Sequence, residues 1–220
     1  MCGIAGYWKI NSNASPDLPL LKKAVQQLSK RGPDFSNFFT HQNVALGHAR
    51  LSIIDTSEAA NQPFTDSSGN YTIIFNGEIY NHPYLRDQLK KEGINFRTRS
   101  DTEVLLELYK KHKQETPEKL NGFFAFAVLD KVRNEIFIAR DRFGIKPLYY
   151  YQDQNQIAFA SEIKALTELQ IDKTPDYISI HRYFQLNYIP GPRTIFKNVK
   201  QLKPGHCIII KNDQISLTQY

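Results

Sequence analysis

Short runs rich in β-branched and aromatic residues recur along the chain at 3–9, 44–54, 71–76, 124–130, 135–140, 148–151, 156–160 and 206–211. Runs of this length and composition predict strands on pleated, partly buried surfaces. Residues 131–134 separate two of them and predict a hairpin. With short loops between many of the others, the strands are expected to pair largely antiparallel. Helical spacing appears in four places. Leu21, Ala24, Val25 and Leu28 form one stripe, stopped by Gly32 and Pro33, and Leu85 and Leu89 form a second, stopped by Gly93. Val104, Leu105, Leu108 and Tyr109 form a third behind Ser100-Asp101-Thr102-Glu103, and a weaker stripe over 178–186 ends before Pro190. Helices flanking paired sheets predict an α+β layered domain.

Composition narrows the class. With 41% hydrophobic and 23% charged residues in 220, the chain has enough apolar mass for a core and is neither disordered nor low-complexity. The longest apolar run, 123–129, is far below the ~18 residues that span a bilayer, and the first ten residues carry no secretory or transit pattern. A cytoplasmic, reducing location is the expectation, with Cys2 and Cys207 offering at most one disulfide. The net charge of +6 is unevenly spread, since residues 173–220 hold seven Lys and Arg against two Asp and Glu. The basic residues there stand singly among Tyr177, Tyr183, Phe184, Tyr188 and Phe196 without a nucleic-acid motif, so a solvated face or an acidic neighbour fits better than RNA or DNA.

Cys2 is the first candidate for chemistry. Loss of Met1 before a small second residue would leave a thiol and a free α-amine on one residue, a nucleophile carrying its own base. An α-amine with a pKa of ~7.7–8.0 is partly neutral at pH 7. Gly3 and Gly6 would let the strand bring a substrate close to its backbone. In F-N-G-E-I-Y-N, residues 75–81, Asn76-Gly77 reads either as a simple turn or as two donors, a side-chain amide and an unobstructed backbone N–H, facing one oxyanion. Arg50 interrupts an otherwise apolar strand; either an acid such as Asp55 pairs with it, or its fork receives a substrate carboxylate. His48 beside it reads as a packed histidine rather than a base. Ser100 and Glu103 fit a capping box, which leaves Asp101 at the helix start, free to receive an ammonium group. The six histidines have no ligand spacing, no phosphate-binding loop is present, and Cys207 reads as a buried strand residue, so no metal or cofactor is expected in this chain.

In this order, M-C-G-I-A-G, R-G-P-D, G-H-A-R-L-S-I-I-D, Q-P-F, F-N-G-E-I-Y-N, S-D-T-E-V-L-L, G-F-F-A-F-A-V-L-D and A-R-D-R-F-G-I-K-P-L-Y-Y resemble the class II glutamine amidotransferase domain. More narrowly, they resemble the N-terminal half of glutamine-hydrolysing asparagine synthetase, from Cys2 to about Leu166, with further similarity from Tyr183 to His206. The resemblance implies an N-terminal nucleophile fold, an αββα sandwich with two antiparallel sheets. It implies that Cys2 attacks the side-chain amide of L-glutamine, that Asn76 and Gly77 form the oxyanion hole, that Arg50 holds the α-carboxylate and Asp101 the α-ammonium, and that Glu78 lines the pocket. It further implies a single domain over 2–220, with 2–172 as catalytic core and 173–220 as a basic extension. That extension would lead toward an absent synthetase domain, which would bind ATP and Mg2+ and make asparagine from aspartate. On this expectation the chain is either an excised domain or an amidase lending ammonia to a partner chain, with a homodimer left open. Two alternatives stand beside it: an ammonia-supplying domain of a different amidotransferase, and a non-catalytic glutamine-binding or regulatory domain.

Overall fold

The computed structural model describes residues 1–11 and 15–220. Its elements, in chain order, are β1 (Gly3–Lys9), α1 (Leu18–Gln26), β2 (Phe35–His41), β3 (Val44–Arg50), β4 (Phe64–Thr65), β5 (Tyr71–Ile79), α2 (His82–Lys91), α3 (Asp101–His112), β6 (Gly122–Asp130), β7 (Glu135–Arg140), β8 (Tyr149–Gln152), β9 (Gln156–Ala160), α4 (Ile163–Leu166), α5 (Tyr177–Leu186), β10 (Val199–Gln201), β11 (His206–Lys211) and β12 (Gln214–Gln219). One sheet runs β10-β8-β9-β1-β3-β2 and the other β12-β11-β7-β6-β5-β4. Every strand pair is antiparallel.

Three apolar layers explain the stacking. Between the sheets lie Ile4, Trp8, Val44 and Leu46 from one and Ile74, Ala125, Ala127, Ile136, Ile138 and Ile208 from the other. The outer face of the first sheet, with Ala5, Tyr7 and Ala45, is covered by Leu21, Ala24, Val25 and Leu28 of the α1 segment and by Ala165 and Leu166 of α4. The outer face of the second, with Ile73, Phe75, Phe124 and Phe126, is covered by Leu85 and Leu89 of α2 and Val104, Leu105 and Leu108 of α3. Alternate residues of each strand therefore serve different layers, and the result is the α+β layered domain that the pattern predicts, in the four-layer αββα arrangement that the resemblance implies.

Several boundaries differ from expectation. β3 stops at Arg50 rather than continuing to residue 54, and Ile53 is 68% exposed. β5 does not turn at Asn76-Gly77; it runs on to Ile79, paired with Gly122 of β6. The α1 helix ends at Gln26, and turns carry the chain on to Gly32. β2, β4, β10 and β12 add strands that the sequence pattern leaves unmarked. The 173–220 segment, set apart in sequence by its charge, contributes β10 to the first sheet and β11 and β12 to the second, so the change in charge does not mark an edge of the sheets. α5 in that segment is capped by Asp176, which accepts from Ile178 N and pairs with Arg193 at 2.6 Å. Only its Ser179 is buried, while Tyr177, Ile178, Tyr183 and Phe184 stand exposed.

Candidate active site

Strand periodicity brings the candidate residues together. Even-numbered residues of β1, β3 and β5, namely Ile4, Leu46 and Ile74, face the opposite sheet, and on the same period Cys2, Arg50 and Asn76 face it too. Gly3 pairs with Ala49; continued by one pair, that register sets Cys2 opposite Arg50. Here the interlayer space opens into a cavity of about 200 Å3 lined by Cys2, Arg50, Asn76, Gly77, Glu78 and Asp101 together. It is smaller than the ~300–1,000 Å3 usual for drug-sized ligands, as suits a small molecule.

Cys2 Sγ lies 3.4 Å from Leu51 N, which donates to it, and 3.6 Å from Leu51 O. Its backbone is fixed by Arg31, whose Nε donates to Cys2 O at 3.0 Å while its Nη1 pairs with Glu162 at 3.0 Å. Burial pushes the thiol above its ordinary value; the Leu51 N–H, the N-terminal ammonium and Arg50 pull it down less strongly, and Asp101 adds to the rise. The resting sulfur is a thiol, and attack by it needs a base.

Asn76 is fully buried, and neither its side-chain nitrogen nor its oxygen has a hydrogen-bond partner among the described residues. An unpaired buried amide is costly, on the order of 1–3 kcal/mol per group, and in this position it is a donor left open on the cavity wall. Beside it, a Cβ on Gly77 would stand 2.3 Å from Phe123 O and 2.8 Å from Phe124 Cα, so the close pairing of β5 with β6 admits only glycine. Of the two readings of Asn76-Gly77, the turn is excluded, because both residues lie within β5.

Arg50 resolves the other open question. Its guanidinium donates to Ser57 O at 3.0 Å, to Asp55 O and to Asn61 Oδ1. These acceptors are neutral, and among the described residues no carboxylate lies within 4.0 Å of it. Asp55 meets it with its carbonyl; the Asp55 carboxylate is taken by Ser57 and Arg99 N. Asp101, the first residue of α3, accepts from Ile79 N at 3.1 Å. Burial raises its carboxyl to about 6 against the hydrogen bonds it receives, with Glu78 adding to the rise. No cation lies within ion-pair distance of it among the described residues. The capping box forms only in part. Ser100 accepts from Thr102 N at 3.0 Å, but Glu103 bonds Arg97 N and Thr98 N instead of reaching back to Ser100.

Gly3 and Gly6 do not serve substrate approach. A Cβ on Gly3 would stand 2.8 Å from Leu28 Cβ, and one on Gly6 2.6 Å from the Phe159 ring, so packing fills both spaces and neither residue lines the cavity. Sequence reasoning missed Leu51, Gln62, Thr102 and Lys146, all on the cavity wall. Only Q-P-F marked Gln62, and nothing local to it signals its long-range bonds. His48 is fully buried and packed, its Nε2 3.0 Å from Phe75 O. Cys207 lies buried in β11, and burial pushes its thiol up to about 12. Among the described residues, no group of three or more His, Cys, Asp or Glu is placed to hold a metal ion, and no helix is long and apolar enough to cross a membrane.

A family model described as "Glutamine amidotransferase domain" matches residues 1–220. The chain belongs to that family. Among curated relatives of this amidotransferase domain, glutamine-hydrolyzing asparagine synthetase 1 of Bacillus subtilis is 40% identical over 215 residues, covering 97% of this chain and 34% of the relative. Glutamine-hydrolyzing asparagine synthetase 3 of the same organism is 39% identical over 224 residues, covering 100% and 36%. Amidase chry2 of Gibberella zeae is 33% identical over 225 residues, covering 97% and 33%. The amidotransferase chain thus spans about a third of the length of these relatives. Its fold is that of glutamine phosphoribosylpyrophosphate amidotransferase from B. subtilis, at a TM-score of 0.75 and 20% identity, covering 99% of this chain and 49% of the other. That is an N-terminal nucleophile fold, as the sequence resemblance implies.

Proposed function

We propose that this domain hydrolyses the side-chain amide of L-glutamine to glutamate and ammonia through a thioester on Cys2. The observation that carries this reading is a pair of unbalanced charges. A buried guanidinium, Arg50, and a buried carboxyl, Asp101, each lack an ionic partner among the described residues and line the same cavity as the thiol. A ligand with a carboxylate, an ammonium and an amide oxygen satisfies both, and also the open donor of Asn76. Removal of Met1, which lies exposed on the cavity wall, frees the Cys2 α-amine to take the thiol proton. The thiolate attacks the amide carbon, and Asn76 and Gly77 donate to the oxygen as charge develops. The ammonium proton passes to the leaving nitrogen, ammonia departs, and water cleaves the thioester to glutamate and the free thiol. Glu78 borders the site and adds negative charge beside Asp101.

The names of the B. subtilis relatives support asparagine synthesis as the use of the ammonia; the acceptor proposed is a domain or partner chain that binds ATP and Mg2+ and takes aspartate. The similarity to Amidase chry2 supports a second reading, in which a related chain serves another acceptor. Residues 2–220 are proposed as one domain, with the basic, aromatic surface around α5 facing the acceptor. Of its basic residues, Arg193 is already paired with Asp176. The test is direct: with Met1 removed, the chain forms glutamate from glutamine, Cys2→Ala abolishes this without unfolding, and a glutamine-like electrophile adds its mass to the peptide holding Cys2. Labelling at Cys207 overturns the reading.

A further inference from the structure

Phe75, the residue before Asn76, is held by side chains where a strand is missing. β4 pairs with β5 only through Phe64 with Ile73 and Thr65 with Thr72. Continued past Pro63, that register would set Gln62 opposite Phe75. Proline has no N–H to give a ladder, and the Gln62 side chain takes over. Its Oε1 accepts from Phe75 N at 2.6 Å, and its Nε2 donates to Thr102 Oγ1 at 3.1 Å, within the first turn of α3. On the same residue, Phe75 O lies 3.0 Å from His48 Nε2, which comes from β3 in the opposite sheet. Because that oxygen can only accept, the imidazole carries its proton on Nε2, and burial lowers its pKa to about 4, which keeps the ring neutral near pH 7. Gln62, His48 and Thr102 are all buried.

We infer that Gln62 and His48 are positioning residues that hold the two peptides flanking Phe75 and so set the donors of Asn76 and Gly77. Resting on the reading proposed above, this assigns them a part in turnover without contact with the reacting atoms. Among the described residues the Asn76 amide has no partner of its own to hold it, so its aim depends on the backbone on either side of Phe75 that leads to it. Gln62 joins the peptide on the N-terminal side of Phe75 to the helix start bearing Asp101, and His48 joins the peptide on its C-terminal side to the strand ending at Arg50, two positions on. Two side chains thus tie the site that meets the amide oxygen to the groups that meet the amino-acid head.

The experiment compares the Met1-processed parent with Gln62→Met, His48→Phe and His48→Gln, the last keeping an amide donor. Glutaminase kcat and KM are measured per folded molecule, along with the rate of Cys2 alkylation by iodoacetamide, which needs no oxyanion donors. Loss of positioning should lower kcat by ~10-fold or more with KM changed less than ~3-fold, since the donors act as charge develops. Alkylation should proceed at the parent rate, and His48→Gln should recover part of what His48→Phe loses. Lower thermal stability with parent kcat per folded molecule overturns the positioning role and leaves the two residues structural. If the apolar variants do not fold, Thr102→Val, which cuts only the Gln62 anchor, decides: reduced kcat at parent KM supports the assignment, and parent kcat overturns it. A processed parent that hydrolyses no glutamine overturns the proposed function itself, and this assignment with it.

Discussion

Two buried arginines end two strands of this molecule and are held in nearly the same way. Arg50, at the end of β3, donates to Asp55 O, Ser57 O and Asn61 Oδ1; Arg140, at the end of β7, donates to Gly144 O, Lys146 O and Leu202 O. They are 6% and 4% exposed, and neither has a carboxylate within 4.0 Å among the described residues. The difference is what lies beyond the guanidinium. Around Arg140 the space is closed: a Cβ on Gly144 would stand 3.0 Å from Nη2, and burial lowers its pKa against the pull of neighbouring Asp141. Arg50 opens on the cavity that holds Cys2 and Asp101. A ring of carbonyls around a guanidinium organises a loop in both places; only Arg50 also reaches the cavity, which is why it is the one proposed to receive a ligand's negative charge.

The comparison breaks or holds on substitution. Arg140→Met leaves three carbonyls without their donor and should destabilise the fold by ~3–5 kcal/mol, measured by urea unfolding, while the glutamine KM of the folded fraction stays at the parent value. Arg50→Gln should reverse the balance. Glutamine binding should weaken by ~1.5–3 kcal/mol, the range for charge-assisted hydrogen bonds, with a smaller loss of stability than Arg140→Met. Equal losses of stability and unchanged affinity would make Arg50 a second structural staple.

The smallest expected effect belongs to the opposing charge. The Asp101 carboxyl titrates at about 6 in the folded chain, above its ordinary value of 3.8. The folded state therefore holds this proton more tightly than the unfolded state does. Its contribution to stability is lost as pH rises from near 4 through 6, by on the order of 1–3 kcal/mol. Thermal melts should show that slope in the difference between unliganded Cys2→Ala and Cys2→Ala with Asp101→Asn, since carboxylates held low elsewhere, such as Asp66 and Glu162, act alike in both. Saturating glutamine, by supplying an ammonium to the ionised carboxyl, should flatten it. A difference of opposite sign between the two variants would show Asp101 already paired.

What was legible in the sequence follows from periodicity. The β-branched and aromatic runs announced the strands, and the stripes of α1 and α3 announced helices beside them, whereas the split of Ile4, Leu46 and Ile74 from Ala5, Ala45 and Ile73 between layers shows only in the structure, because both faces are apolar. Edge strands were harder to see. β2 and β12, at the outer edges of the two sheets, carry polar residues on open faces, and their patterns blur. Leu51 to Ile54 reads as more strand because it is apolar, yet those residues wall the cavity or meet solvent. Asn76-Gly77 carries the local chemistry of a turn, and pairing with β6 overrides it. The six candidate residues were marked by type and motif. The bracket around Phe75 was not, because each of its bonds joins residues distant in sequence.

The rung that sets Cys2 opposite Arg50 also fixes how this chain can change. Hairpin tips such as 131–134 can gain or lose residues while the sheets keep their places. One residue added between Cys2 and Tyr7 would move the thiol to the other side of the pleat, toward the helices, and carry it away from Arg50 and Asn76 together. The spacing from nucleophile to core is therefore a matter of parity, and variation here should come by substitution or by pairs of residues, never singly.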